Sequence, residues 1–203
     1  MKFQDAQKAM VQYLSSNEFK NREDAKTTLP SIKILQDINR KGLLTTNSQT
    51  GEDEKGFNPE TKKYYRICER AYIEGFMKRS NGLALIDFLN TTTDKVAFFI
   101  YENPDPAFET LYFEGDVKAV PSIPVTVSGS SSVGYSHIKK LYPDTKMPTT
   151  VPKSTADFQR NHVKLNKSED THWICIIDPV YGRNALKKDG LFTVVLDALK
   201  ENT

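Results

Sequence analysis

Two short, unbroken apolar runs constrain this chain more than any other feature: KVAFFIY at 95–101 and WICIID at 173–178. Both are rich in aromatic or β-branched residues and neither alternates with polar positions. Strands of that kind must be covered on both faces. Apolar stripes at helical spacing surround them. Phe3, Ala6, Met10, Tyr13 and Leu14 share one face of a helix over 3–15. Ile32, Leu35 and Ile38 mark a second helix, with Pro30 in its first turn and Gly42 as its stop. Leu191, Val194, Val195, Ala198 and Leu199 mark the last. Helices alternating with buried strands predict an α/β fold: a single layered domain over 1–203, with a mixed central sheet flanked by helices.

The fullest stripe lies between these elements. Tyr64, Ile67, Cys68, Ala71, Tyr72, Gly75 and Phe76 fall at i, i+3, i+4, i+7, i+8, i+11 and i+12, which predicts a helix. Gly75 sits on its apolar side, where the missing side chain permits close approach of another backbone. Ahead of it, 43–46 reads as a short strand and 47–62 as a long surface loop broken by Gly51, Gly56 and Asn58-Pro59. Asn81 suits the cap of a further helix carrying Leu83, Leu85, Ile86, Phe88 and Leu89. Residues 103–153 read as an irregular proline- and serine-rich insertion, with an edge strand at 110–114 and another strand at 123–128.

The 28 basic and 26 acidic residues leave a net charge of +2, without the electrostatic footprint of a nucleic-acid binder. Gln4, Asp5, Gln7 and Lys8 interrupt the apolar run a signal peptide requires. No stretch approaches the roughly 20 apolar residues of a membrane helix. Two cysteines, each in an apolar segment, suit reduced thiols in an intracellular compartment. Neither nucleic acid nor a membrane is expected as a partner.

Three groups of residues can carry chemistry. Thr45, Thr46, Asn47, Ser48 and Gln49 place hydroxyls and amides at a strand's carboxyl end, where α/β proteins often bind ligands. The chain has no GxGxxG and no GxxxxGK[ST], so a backbone phosphate cradle is not expected, and the same hydroxyls can instead close a turn. Glu69 and Arg70 can serve as a general base and an anion clamp, or as an ordinary charged face. Asp178 ends a buried strand with Arg183 shortly after it, a ligand-binding carboxylate or a local pair that fixes the loop. His172 and Cys175 fall on opposite faces of their strand, and no HExxH or CxxC spacing occurs. No metal or cofactor is expected.

The segments KGLLTTNSQ at 41–49, ERAYIEGF at 69–76 and DPVYGR at 178–183 together resemble an uncharacterised domain family of large DNA viruses and some bacteria. That family has a G-x-x-T-x-x-S-Q segment followed by a helix reading R-A-x-x-x-G-F, and Tyr181 stands here where the family has Trp. The similarity covers roughly 30–90 and 172–200. It implicates Thr46, Ser48, Gln49, Arg70, Gly75, Asp178 and Arg183, and implies a viral setting more than an activity. Two functions follow as expectations. One is a non-enzymatic structural or protein-binding module, a minor virion or capsid-associated protein whose partners are other subunits, capsid proteins among them. The other is a small enzyme or nucleotide-type ligand binder, with the TTNSQ turn converging on Glu69, Arg70 and Asp178.

Overall fold

The computed structural model describes residues 1–22, 29–92, 98–99, 110–114, 153–178 and 182–201. Helix α1 spans Phe3–Ser15 and a short α2 spans Asn17–Lys20, which Ser16 caps by accepting from the Phe19 amide at 3.1 Å. A 3-10 turn at Leu29–Ser31 leads into α3, Ile32–Arg40. Gly42, at φ 113, then turns the chain into β1, Leu44–Thr50. Strands β2 (Asp53–Asn58), β3 (Lys63–Glu69) and β4 (Ala71–Lys78) follow, then α4, Arg79–Thr92. The remaining described elements are β5 (Phe98–Phe99), β6 (Thr110–Glu114), α5 (Lys153–His162), β7 (Thr171–Ile177) and α6 (Leu191–Glu201).

The α/β class holds. Four strands form a sheet in the order β1-β4-β7-β5 and three form a second in the order β2-β3-β6, and the described pairings are antiparallel. The central strands β4 and β7 are sealed on both sides. Residues 71–77 are all buried, as are Trp173, Ile174, Cys175 and Ile176. On one face Ile73 and Met77 join Leu35, Ile38, Phe192 and Val195 in the core, where α6 packs against α3, α4 and β4. On the other face α5 covers the sheet. Gln159 Nε2 donates to Glu74 Oε1 at 3.1 Å, and the Arg160 guanidinium lies 4.9 Å from the Phe76 ring centre.

Residues 64–76 are not the helix their spacing predicts; they are the end-to-end strands β3 and β4. Strand β4 is buried on both faces and mostly apolar, so a 3.6-residue stripe can be drawn through it by selection and run back into the half-exposed β3. Ile73, which the helical reading left off its apolar face, is fully buried. The expected loop at 47–62 is likewise the end of β1, all of β2 and a turn. Asn58 Oδ1 accepts the amides of Glu60 and Thr61 at 2.9 and 3.3 Å, and Lys62 turns at φ 54. Helices 3–15, 32–40 and 191–201 and the strands at 110–114 and 171–177 match the sequence reading, while the helix expected to be capped by Asn81 starts at Arg79 and holds Asn81 within it. Helix α5 begins at Lys153, the last residue of the insertion read as irregular. The proposed strand at 123–128, most of the run at 95–101 and most of the insertion at 103–153 lie outside the described residues.

Candidate functional site

Asn39 fixes the start of β1. Its buried Nδ2 donates to the Leu35 carbonyl at 2.8 Å and to Thr45 Oγ1 at 2.7 Å, while its Oδ1 accepts the Thr45 amide at 3.0 Å. The β1–β4 register then slips between Thr45 and Asn47, so Thr46 falls in a bulge and donates its hydroxyl to the Glu74 carbonyl at 3.3 Å. Gly75 faces this bulge. A β-carbon there would fall on the Leu44 carbonyl oxygen and lie 2.9 Å from Thr45 Cα. Close backbone approach at Gly75 was legible in the sequence, although the element carrying it was not.

Beyond the bulge the candidate residues divide into two groups. Thr46, Ser48, Gln49 and Glu69 line a groove of about 460 Å³ between β1 and the first two helices; Arg70, Asp178 and Arg183 are absent from its walls. Inside the groove Gln49 Nε2 donates to Glu69 Oε2 at 2.7 Å, and Asn47 Nδ2 donates to the Tyr72 hydroxyl at 2.9 Å. Among the described residues, the Ser48 hydroxyl makes no hydrogen bond. The helical wall adds Tyr13, edge-on to Phe19 at 5.4 Å, and Arg22, whose Nη1 donates to the Tyr13 hydroxyl at 3.0 Å. His162 reaches the same groove from the end of α5. Sequence reasoning missed Tyr13, Arg22 and His162, because only the fold brings them to β1.

The second group builds a lock at the other end of β1. Gly51 turns at φ 74, and a β-carbon there would sit 2.6 Å from the Arg183 carbonyl oxygen and 2.8 Å from the Ala71 nitrogen. Gly182, also at φ 74, presses on Asp53. Backbone bonds stitch the segment down: Asp178 N–H to Ala71 at 2.8 Å, Gly182 N–H to Glu69 at 2.9 Å and Ala185 N–H to Thr50 at 2.7 Å. Arg183 closes it with a two-pronged bond to Asp178, whose side chain is 1% exposed. Arg70 is buried between Glu69 and Ala71, the two residues that hold this segment. The Glu69-Arg70 pair therefore serves two different places.

The β2–β3 hairpin projects a third feature. Phe57 and Tyr64 pair across its strands with ring centres 5.2 Å apart, and they remain 51% and 69% exposed.

No described helix is long and apolar enough to cross a membrane. No curated protein matches the chain. Residues 4–202 match a domain of unknown function (DUF6919), so the chain belongs to that family, which is uncharacterised, as the resemblance implied.

Proposed function

We propose that this chain is a non-enzymatic protein-binding module that docks through the β2–β3 hairpin, as a minor capsid-associated component of a large DNA virus. The viral setting rests on the motif resemblance of 41–49, 69–76 and 178–183. The docking surface rests on one observation, the exposed Phe57–Tyr64 pair. Two aromatic rings left in water on a hairpin are an apolar feature that a partner can cover. Burying on the order of 200 Å² of ring surface against it would contribute about 5 kcal/mol before the entropic cost of association. Strand β2 stands at the end of the described three-stranded sheet, so an extended segment of the partner can also pair with its edge. The motif residues support a scaffolding role. Thr46, Gln49, Asp178 and Arg183 are bonded to their own neighbours.

The test compares the wild-type chain with a Phe57→Ser/Tyr64→Ser variant, each tagged in the source that encodes it. Both proteins should have unfolding free energies in urea within about 0.5 kcal/mol of each other, since surface positions contribute little to folding. The wild type should co-purify with particles or a structural subunit and the variant should not. A wild-type chain absent from particles and bound to no structural subunit would remove the proposal.

A further inference from the structure

We infer that the partner is an extended acidic segment that adds to the β2 edge as a further strand. Running antiparallel to β2, it sets an apolar residue opposite Phe57 and, two residues later, a carboxylate opposite Lys55. The inference rests on docking through the hairpin, whichever assembly supplies the partner. Strand β2 ends the described sheet β2-β3-β6, so one row of its amides and carbonyls faces outward, where a further strand can bond to them. Side chains alternate along the strand, and the register with β3 puts Lys55, Phe57, Tyr64 and Arg66 on one face.

Charge selects the partner. On that face Arg66 makes a two-pronged bond to Asp53, at 2.7 and 2.8 Å. Glu54 lies on the opposite face, where the Tyr65 hydroxyl donates to it at 3.0 Å. Among the described residues Lys55 has no ion pair, and it stands exposed beside the two exposed rings. The turn adds Lys62 and Lys63 against Glu60. Lys62 holds φ 54, a left-handed conformation that Gly or Asn adopts at less cost, so the tip carries a cation where a neutral residue would fold more easily. A lysine on an open edge discourages a strand that offers it nothing and attracts one that brings a carboxylate. Between Lys55 and Phe57, Gly56 leaves its other face to the Tyr65 ring, which lies 2.4 Å from where a β-carbon would be. A partner residue opposite Gly56 meets the edge of that ring, which suits a β-branched side chain. Over 53–69 four acidic residues balance four basic ones, too little positive charge for a phosphate chain.

The experiment is fluorescence anisotropy of the full chain with a labelled peptide, acetyl-Thr-Thr-Leu-Thr-Glu-Thr-Thr-amide, and its Glu-to-Lys counterpart. Its Leu would face Phe57 and its Glu would face Lys55. The Glu peptide should bind with a Kd below about 1 mM. It should bind about three- to tenfold more tightly than the Lys peptide, the range of one cross-strand charge pair gained rather than opposed. Lys55→Glu should reverse that preference, and Phe57→Ser should weaken both peptides. Methylating alternate peptide amides should abolish binding in one of the two settings, since only one set faces β2. The inference is overturned if the Glu peptide does not bind, if Lys55→Glu leaves the preference unchanged, if Phe57→Ser leaves both affinities unchanged, or if both methylated peptides bind like the parent. It is overturned too by a sedimenting dimer that Phe57→Ser breaks, which gives the edge to a second copy, or by oligothymidylate displacing the peptide, which gives it to nucleic acid. Particles that retain the wild-type chain while the peptide fails to bind would strike this inference and leave hairpin docking standing. A peptide that binds a chain absent from particles would strike the capsid setting alone.

Discussion

Gly75→Ala is the sharpest test of how β1 and β4 are joined. The added methyl would overlap the Leu44 carbonyl oxygen and lie 2.8 Å from the Leu44 carbonyl carbon and 2.9 Å from Thr45 Cα. All three obstacles are backbone atoms, so no side-chain rotation can relieve them. The start of β1 has to lift away from β4, loosening the Leu44↔Phe76 and Thr45↔Gly75 pairs. Each lost ladder bond costs about 1 kcal/mol. Leu44 is fully buried, and partly withdrawing it from the core adds about 1.5–3 kcal/mol. The sum is about 3–5 kcal/mol, a large part of the roughly 5–15 kcal/mol that holds a domain together.

Urea unfolding followed by fluorescence measures this directly. Trp173 is the only tryptophan, is buried, and pairs with Phe76 across β4 and β7. Gly82→Ala is the internal control. Its β-carbon would lie 3.8 Å from Met77 Cβ, an ordinary contact, and the position is inside α4. That substitution should stabilise the fold by about 0.5–1 kcal/mol through helix propensity alone. A Gly75→Ala protein within about 1 kcal/mol of wild type would refute the close-approach reasoning.

Two further predictions concern ion pairs. Arg183→Met leaves the Asp178 carboxylate without its two-pronged partner inside the lock and should cost about 3–5 kcal/mol in urea; adding Asp178→Leu should recover much of the loss. Lys78 donates to Glu169 at 2.6 Å, and this bond holds the Glu169 carboxyl below its ordinary value of 4.5. Because the folded value is the lower one, the stabilisation is present above 4.5 and is lost as pH falls through the folded value. Glu169→Gln should therefore flatten the fall in thermal midpoint below pH 4.5, and an unchanged acid limb would count against the pairing.

Strand β7 was legible because five consecutive apolar positions admit no amphipathic face, and α1, α3 and α6 were legible because their stripes run against polar complements. The 64–76 segment misled for a physical reason. In β4 burial on both faces erases the alternation that identifies a strand, while β3 stays half-exposed, and over 64–76 composition is the remaining signal. Tyr64, Tyr65, Ile67, Tyr72, Ile73 and Phe76 favour strands, and the Asn58-Pro59 turn before them suits a hairpin. Part of the site was legible in the same way. Gln49 and Ser48 stood out as polar groups at a strand end, and the Asp178–Arg183 pair was one of two readings weighed for that segment. Arg22 and Tyr13 carried no such signal, because α1 and α2 meet β1 only through the fold.

Glu69 and Arg70 show why adjacency in sequence is a poor guide to shared function here. Glu69 ends β3 and turns its carboxylate to Gln49 in the groove, whereas Arg70 is 2% exposed at the junction with β4. Their substitutions should therefore separate. Glu69→Gln keeps an acceptor for the Gln49 amide and should change stability by no more than about 1 kcal/mol, the value of one hydrogen bond. Arg70→Met replaces a side chain that is 2% exposed at this junction and should cost about 1–3 kcal/mol through disturbed packing. Equal losses of stability at the two positions would mean that groove and lock are one cooperative unit.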